Sequence, residues 1–111
     1  MESELKGDGG GLREVIFTPR EVEYCEGKRY PARHYAARFA AKEAVLKALA
    51  YDGRGGFVWK QIEVDHDENG RPGVNLNGLI RERAAQLSVN RILISLSHTE
   101  ELATANVVLE S

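Results

Sequence analysis

One uninterrupted helical run, "YAARFAAKEAVLKALA" at residues 35–50, constrains this chain more than any other stretch. Alanine, leucine, lysine and glutamate are strong helix formers, and no glycine or proline breaks the run. At 3.6 residues per turn, Tyr35, Phe39, Val45, Leu46 and Leu49 fall on one arc of about 120°. Ala37, Ala41, Ala44 and Ala48 make an opposite face with almost no side chain. Neither face is an ordinary polar one, so the helix is expected to be packed on both. Its charges come in pairs four residues apart: Arg38 and Lys42 within the large apolar arc, Glu43 and Lys47 on its shoulder. A Glu-to-Lys pair in this order stabilises an exposed helix by about 0.2–0.5 kcal/mol, and long basic side chains lay their stems on apolar surface. The charges are therefore either a solvated fringe or groups aimed into a cleft or interface.

The remaining segments give the helix something to pack on. In "FTPREVEYC", Thr18 is an N-cap, Pro19 suits the first turn, and Glu21 completes a capping-box spacing. The long helix is expected from near Pro31 to near Tyr51, stopped by the glycines of "DGRGG". "FVWKQIEVDHDENGRPGVNL" reads as strand, turn, strand, with Val58, Lys60, Ile62 and Val64 on one side and a type I′ turn at Asn69-Gly70. Pro72 places the returning strand at an edge or delays its start. "NGLIRERAAQLSV" is a second amphipathic helix with Ile80, Ala84 and Leu87 in one stripe, and "RILISLSH" and "LATANVVLE" are two strands joined by "TEE". The expectation is an α+β fold, helices packed on an antiparallel sheet. Residues 1–11, with four glycines, form a flexible tail, and residues 12–111 form one domain.

Several chemistries are set aside by what the chain contains. A single cysteine, Cys25, leaves no internal disulfide or cysteine zinc cluster, which fits a reducing cytosol, and it is expected to be buried. The net charge of −2 gives no global attraction to nucleic acid. No apolar run approaches the ~18 residues of a membrane span, and the amino terminus lacks the apolar centre of a secretory signal. A cytoplasmic protein with no membrane or nucleic-acid partner is expected. Neither Ser95 nor Ser97 belongs to a nucleophile elbow, and "DGRGG" is not a Walker A loop. His34 and His66 stand in polar contexts and are expected to be solvated, whereas His98 lies at a strand end in "SLSHTE".

Taken together, "RFAAKEAVLKA" (Arg38 to Ala48) and "ISLSHTEELATANVV" resemble the holo-[acyl-carrier-protein] synthases, the small 4′-phosphopantetheinyl transferases. "FTPREVEYC", "DGRGG" and "QIEV" match further segments of that family in the same order, so the resemblance covers roughly residues 16–110. It implies transfer of phosphopantetheine from coenzyme A to a serine of an apo acyl carrier protein, releasing 3′,5′-ADP, with a place in fatty acid biosynthesis. It further implies that Glu43 is a magnesium ligand and acts with Lys47 at the pyrophosphate. Arg38, Lys42, His98 and Thr99 would line the coenzyme A site, and Gly53 and Gly55 would allow close backbone approach to it. A homotrimer with a site in each subunit cleft is implied as well, and would account for the missing polar face.

Family members usually begin with a G-x-D-x-V-E strand, whose Asp is a second magnesium ligand, followed by a helix leading to the threonine-proline segment. Neither is expected here: Asp8 stands among glycines without β-forming neighbours. Lys28, Arg29 and Arg33 in "GKRYPARH" form a local positive cluster that is expected to dock the acidic carrier instead. The alternative expectation is a non-catalytic or impaired paralogue that keeps coenzyme A or carrier binding.

Overall fold

The computed structural model of the chain describes residues 11–51 and 57–111. Among these residues three helices come first: α1 (Gly11–Ile16), α2 (Pro19–Glu26) and the long α3 (Pro31–Ala48). A 3₁₀ segment, Phe57–Gln61, precedes β1 (Ile62–His66) and β2 (Pro72–Leu76); then come α4 (Gly78–Gln86), β3 (Arg91–His98) and β4 (Ala103–Glu110). The α+β expectation holds, with helices against antiparallel strands. The strands form two two-stranded sheets, β1 with β2 and β3 with β4. The expected tail, Asp8 included, lies outside the described residues except for Gly11, which opens α1. A helix ahead of the threonine-proline segment was not expected, and α1 corrects that reading. Ile16 and Phe17, both buried, pin its end against Cys25 and Tyr35.

Helix α2 starts where the capping box places it: Glu21 N–H donates to Thr18 Oγ1 at 3.3 Å, and Thr18 N–H donates to Glu21 Oε1 at 2.9 Å. Helix α3 buries residues from both of its arcs, Tyr35, Val45 and Leu46 from the large one and Ala37 and Ala41 from the small one. Its end differs from expectation. Ala50 takes a left-handed φ of 53°, its N–H donates to Lys47 O, and Tyr51 N–H donates to Leu46 O. This is a Schellman-type stop, and the packing of half-buried Tyr51 on the core supplies the apolar contact that usually accompanies it. The helix thus ends before "DGRGG", whose residues 52–56 lie outside the described ones.

The first strand is shorter than its sequence pattern suggests, because Phe57–Gln61 winds into a 3₁₀ turn. Within that turn the carbonyl of Trp59 accepts from the Lys42 ammonium, as does that of Ile62 at the start of β1. The β1–β2 pairing runs from Ile62↔Leu76 to His66↔Pro72, so Pro72 opens the returning strand. A two-residue type I′ turn is not what closes it. Asp67 N–H donates to Arg71 O, Gly70 N–H donates to Asp67 O, and Gly70 has a φ of 81° while Asn69 does not have a positive φ. That is the three-residue hairpin loop, a turn followed by a left-handed glycine. Asp67 Oδ1 fixes it by accepting from Asn69 N–H and Arg71 N–H at 2.8 and 2.9 Å.

Helix α4 is capped from a distance: Gln61 Oε1 accepts from Ile80 N–H at 3.1 Å. Ile80 and Ala84 are buried as expected, but Leu87 is 42% exposed. The helix stops at Gln86, so Leu87 is its C-cap and not a further step of the stripe, and Ser88 then turns the chain with a φ of 58°. One core, Val45, Leu46, Leu49, Val58, Ile62, Ile80 and Ala84, joins α3, β1 and α4, and Val107 and Leu109 of β4 lie against it. Each such side chain stabilises the fold by about 1.5–3 kcal/mol when fully buried. In β3–β4, Ile92, Ile94 and Leu96 face inward with Leu109, Val107 and Ala105, and the alternation carries His98 to that same side.

Candidate active site

Lys42 and Arg38 both sit on the buried side of α3, one turn apart, but in different company. Lys42 is fully enclosed: its Nζ donates to Glu21 Oε1 at 2.8 Å, to Trp59 O at 2.9 Å and to Ile62 O. Glu21 is equally buried and also accepts from Val64 N–H at 2.9 Å, so one carboxylate ties α2, α3 and β1 together. Burial pulls the Lys42 ammonium below its ordinary range, and Glu21 opposes that pull. The residue expected at the coenzyme A phosphates therefore has its three donors directed at protein oxygens in the core.

Arg38 faces a cavity of about 270 Å³ lined by Tyr24, His34, His66 and His98, with Ser95 and Leu96 of β3 on the far wall. Two expected site residues, Arg38 and His98, thus meet on one concave surface. His34 and His66, expected to be solvated, meet there too. The His34 and His98 rings lie 4.7 Å apart, edge to face, and His34 is four residues before Arg38 on the same side of α3. Burial, aided by His98 and Arg38 nearby, brings His34 down from 6.5 to about 4. His66 is likewise lowered, first by burial and then by Arg38 and Lys28, against the opposing Asp65 and Asp67. The sequence signal for His34 was its spacing from Arg38; His66, at the end of β1, had none.

Glu43 and Lys47 stand elsewhere. Glu43 follows Arg38 by five residues, which places it about 140° round the helix and about 7.5 Å along it. Glu43 is half-buried and Lys47 exposed. They do not pair with each other, and Glu43 has no hydrogen-bond or salt-bridge partner among the described residues. Thr99 is exposed and closes the β3–β4 turn: its N–H donates to Leu102 O at 2.7 Å, and its Oγ1 accepts from Leu102 N–H at 3.1 Å. It lines a separate hollow with Arg33 and Ala36. Gly53 and Gly55 lie outside the described residues. Cys25 is buried, and burial pushes its thiol up to about 12, so it is no nucleophile at neutral pH. Within one chain four of the expected residues therefore fall into two groups, Arg38 with His98 and Glu43 with Lys47, on different sides of α3.

A magnesium ion makes modest demands, one or two carboxylates with substrate phosphates and waters completing six oxygens. Among the described residues no three His, Cys, Asp or Glu converge as a self-sufficient metal site. With no partner among the described residues, the Glu43 carboxylate fits an ion that is carried largely by substrate phosphates.

Comparison with known proteins places the chain in a family. A sequence model of the 4′-phosphopantetheinyl transferase superfamily matches residues 1–107. The holo-[acyl-carrier-protein] synthase of Geotalea daltonii is 48% identical over 99 residues, 89% of this chain and 79% of that protein. The crystal structure of holo-[acyl-carrier-protein] synthase from Neisseria meningitidis superposes with a TM-score of 0.85 at 29% identity, covering 98% of this chain and 87% of that one. That of Bacillus anthracis str. Ames, a complex with CoA (3′,5′-ADP), gives a TM-score of 0.75 at 31% identity over 99% and 89% of the two chains. The chain belongs to the holo-[acyl-carrier-protein] synthase family of 4′-phosphopantetheinyl transferases.

Proposed function

We propose that this chain transfers the 4′-phosphopantetheine of coenzyme A to a serine of an apo acyl carrier protein. The serine oxygen bonds to the pantetheine-side phosphorus as that phosphorus gives up its bridging oxygen to 3′,5′-ADP, and the hydroxyl proton is released. The observation that carries the reading is the pairing of family membership with a cavity walled by Arg38 and three histidines. Phosphoryl transfer rests on positioning and on cations that take up charge at phosphate oxygens. Arg38 supplies a fixed cation to the donor's phosphates, and His98 shapes the same wall. Lys47, exposed and one turn beyond Glu43, is free to approach the pyrophosphate and offset charge as the bond breaks. Glu43 would hold magnesium, which would supply neutralisation of phosphate charge.

The two groups on α3 support a homotrimer, in which Glu43 and Lys47 of one protomer face Arg38 and His98 of its neighbour. The outer face of β3–β4 suits such packing. Leu93 and Val108 pair directly across the ladder and are 41% and 55% exposed. Lys28, Arg29 and Arg33 give the acidic carrier a docking surface: Arg29 and Arg33 both stack on Tyr30, with Arg33 4.1 Å from the ring centre. No helix among the described residues is long and apolar enough to cross a membrane, and cytoplasmic work on a cytoplasmic carrier is the reading adopted. Mass spectrometry of an apo carrier incubated with the protein, coenzyme A and magnesium tests it. Gain of one phosphopantetheine per carrier is expected. Coenzyme A binding without that gain would identify a binding-only paralogue.

A further inference from the structure

Arg38 is held by groups that the transfer chemistry itself does not use. Its guanidinium carbon lies 3.9 Å from the centre of the Tyr24 ring. Tyr24 in turn stacks on His66, with ring centres 4.6 Å apart and planes 1° from parallel. Arg38 Nη2 donates to His66 Nδ1 at 2.9 Å. A guanidinium has no acceptor atom, so this contact requires a lone pair on Nδ1 and puts the proton of neutral His66 on Nε2. Arg38 is 1% exposed, yet its Nε–H has no partner among the described residues. The same residue lines the cavity that His34, His66 and His98 wall. One face of the guanidinium is stacked and one end is anchored, and Arg38 lines a hollow able to admit an anionic group. A planar cation fixed in this way loses little freedom when an anion binds.

We infer that His66, backed by Tyr24, is a positioning residue that fixes Arg38 toward an anionic group of coenzyme A, and that it acts only as a neutral imidazole. The inference rests on the transferase reading above. Groups from every neighbouring element bear on His66: Tyr24 of α2, Lys28 after it, Arg38 and His34 of α3, Asp65 and Asp67 beside it, and His98 of β3 across the cavity. Arg38 and Lys28 keep it neutral, together with burial, while Asp65 and Asp67 act the other way. Adding a proton would replace the acceptor with a second cation 2.9 Å from Arg38. The anchored state is therefore present above the His66 pKa, which lies below 6.5, and is lost as pH falls through it.

The substitutions His66→Asn and His66→Leu separate positioning from bulk structure. Asparagine puts an oxygen acceptor close to the place of Nδ1 and does not titrate; leucine fills similar space without an acceptor. By titration of coenzyme A at pH 7.5, the Asn variant should bind within about twofold of wild type and the Leu variant about tenfold more weakly. In the transfer assay the Leu variant should show the loss in KM, with kcat within about twofold. As pH falls through the His66 pKa the wild-type to His66→Asn ratio of Kd should rise, a comparison that cancels the titration of the phosphates and of the other histidines. Imidazole nitrogen NMR of the ligand-free protein should show an Nε2–H tautomer, with a midpoint that moves up in Arg38→Ala. Unchanged affinity in His66→Leu, or equal losses in both His66 variants with wild-type melting temperatures, would overturn the inference and leave the transferase reading intact. A wild-type protein that neither binds coenzyme A nor modifies a carrier would overturn both, and the NMR midpoint would then report on the Arg38 contact alone.

Discussion

Lys42 is a buried charge with one carboxylate and two carbonyls for partners, and that arrangement makes it costly to break. Removing one member of such a pair leaves the other uncompensated, at about 3–5 kcal/mol. Lys42→Met should therefore destabilise the fold by that amount in urea unfolding; a change below about 1 kcal/mol would mean that the pair contributes little. His34 gives the pH counterpart. Its folded pKa of about 4 lies below the ordinary 6.5, so the unfolded chain binds more protons between those values. Its contribution is fully present above pH 6.5 and lost as pH falls toward 4, so the thermal midpoint should drop over that window, and less so in His34→Phe. The helical wheel put Arg38 and Lys42 within the apolar arc but left open whether their charges were solvated or enclosed. Their partners were not legible: Glu21 and His66 stand 21 and 28 residues away, and no local pattern announces which turn of chain will fold over a given charge. Glu21 was readable as a capping residue and turned out to serve the core as well.

Elements were more legible than the way they end. Periodicity found α3, α4 and the two hairpins, because each follows from which face is apolar. The stops depend on single backbone angles. Ala50 holds a left-handed φ of 53° where glycine would be unstrained. Ala50→Gly should thus stabilise the protein by about 1 kcal/mol, read as a raised denaturant midpoint with an unchanged slope. A lower midpoint would show that the methyl group contributes more than the strain costs. The Asn69-Gly70 pair was legible as a turn but not as a three-residue loop, since Asp67, two residues earlier, accepts the hydrogen bonds that select it. The strand predicted from residue 57 began five residues late, after a 3₁₀ turn in which a buried ammonium competes for the Trp59 carbonyl. Alternating hydrophobicity carries no trace of that competitor.

On the proposed reading, the whole molecule brings an acidic carrier, a polyanionic donor and the two faces of α3 together. Reversing Lys28, Arg29 and Arg33 to glutamate should weaken carrier binding at least about tenfold at low salt and flatten its salt dependence, while coenzyme A affinity changes less. Carrier affinity that is insensitive to the reversal would remove this docking surface. Sedimentation at micromolar concentration should give a trimer, and Leu93→Glu, placed on the exposed β3–β4 face, should shift it toward monomer. The most direct test of the account uses two inactive variants in one tube, Glu43→Gln and Arg38→Ala. If the site forms between protomers, dissociating and reassembling them together creates clefts in which the intact Glu43 of one chain meets the intact Arg38 of the next. Random assortment then predicts that carrier modification, followed by mass spectrometry, returns to roughly a quarter of the wild-type rate. A reassembled mixture as inactive as either variant alone, while wild type treated in the same way recovers fully, would contradict it.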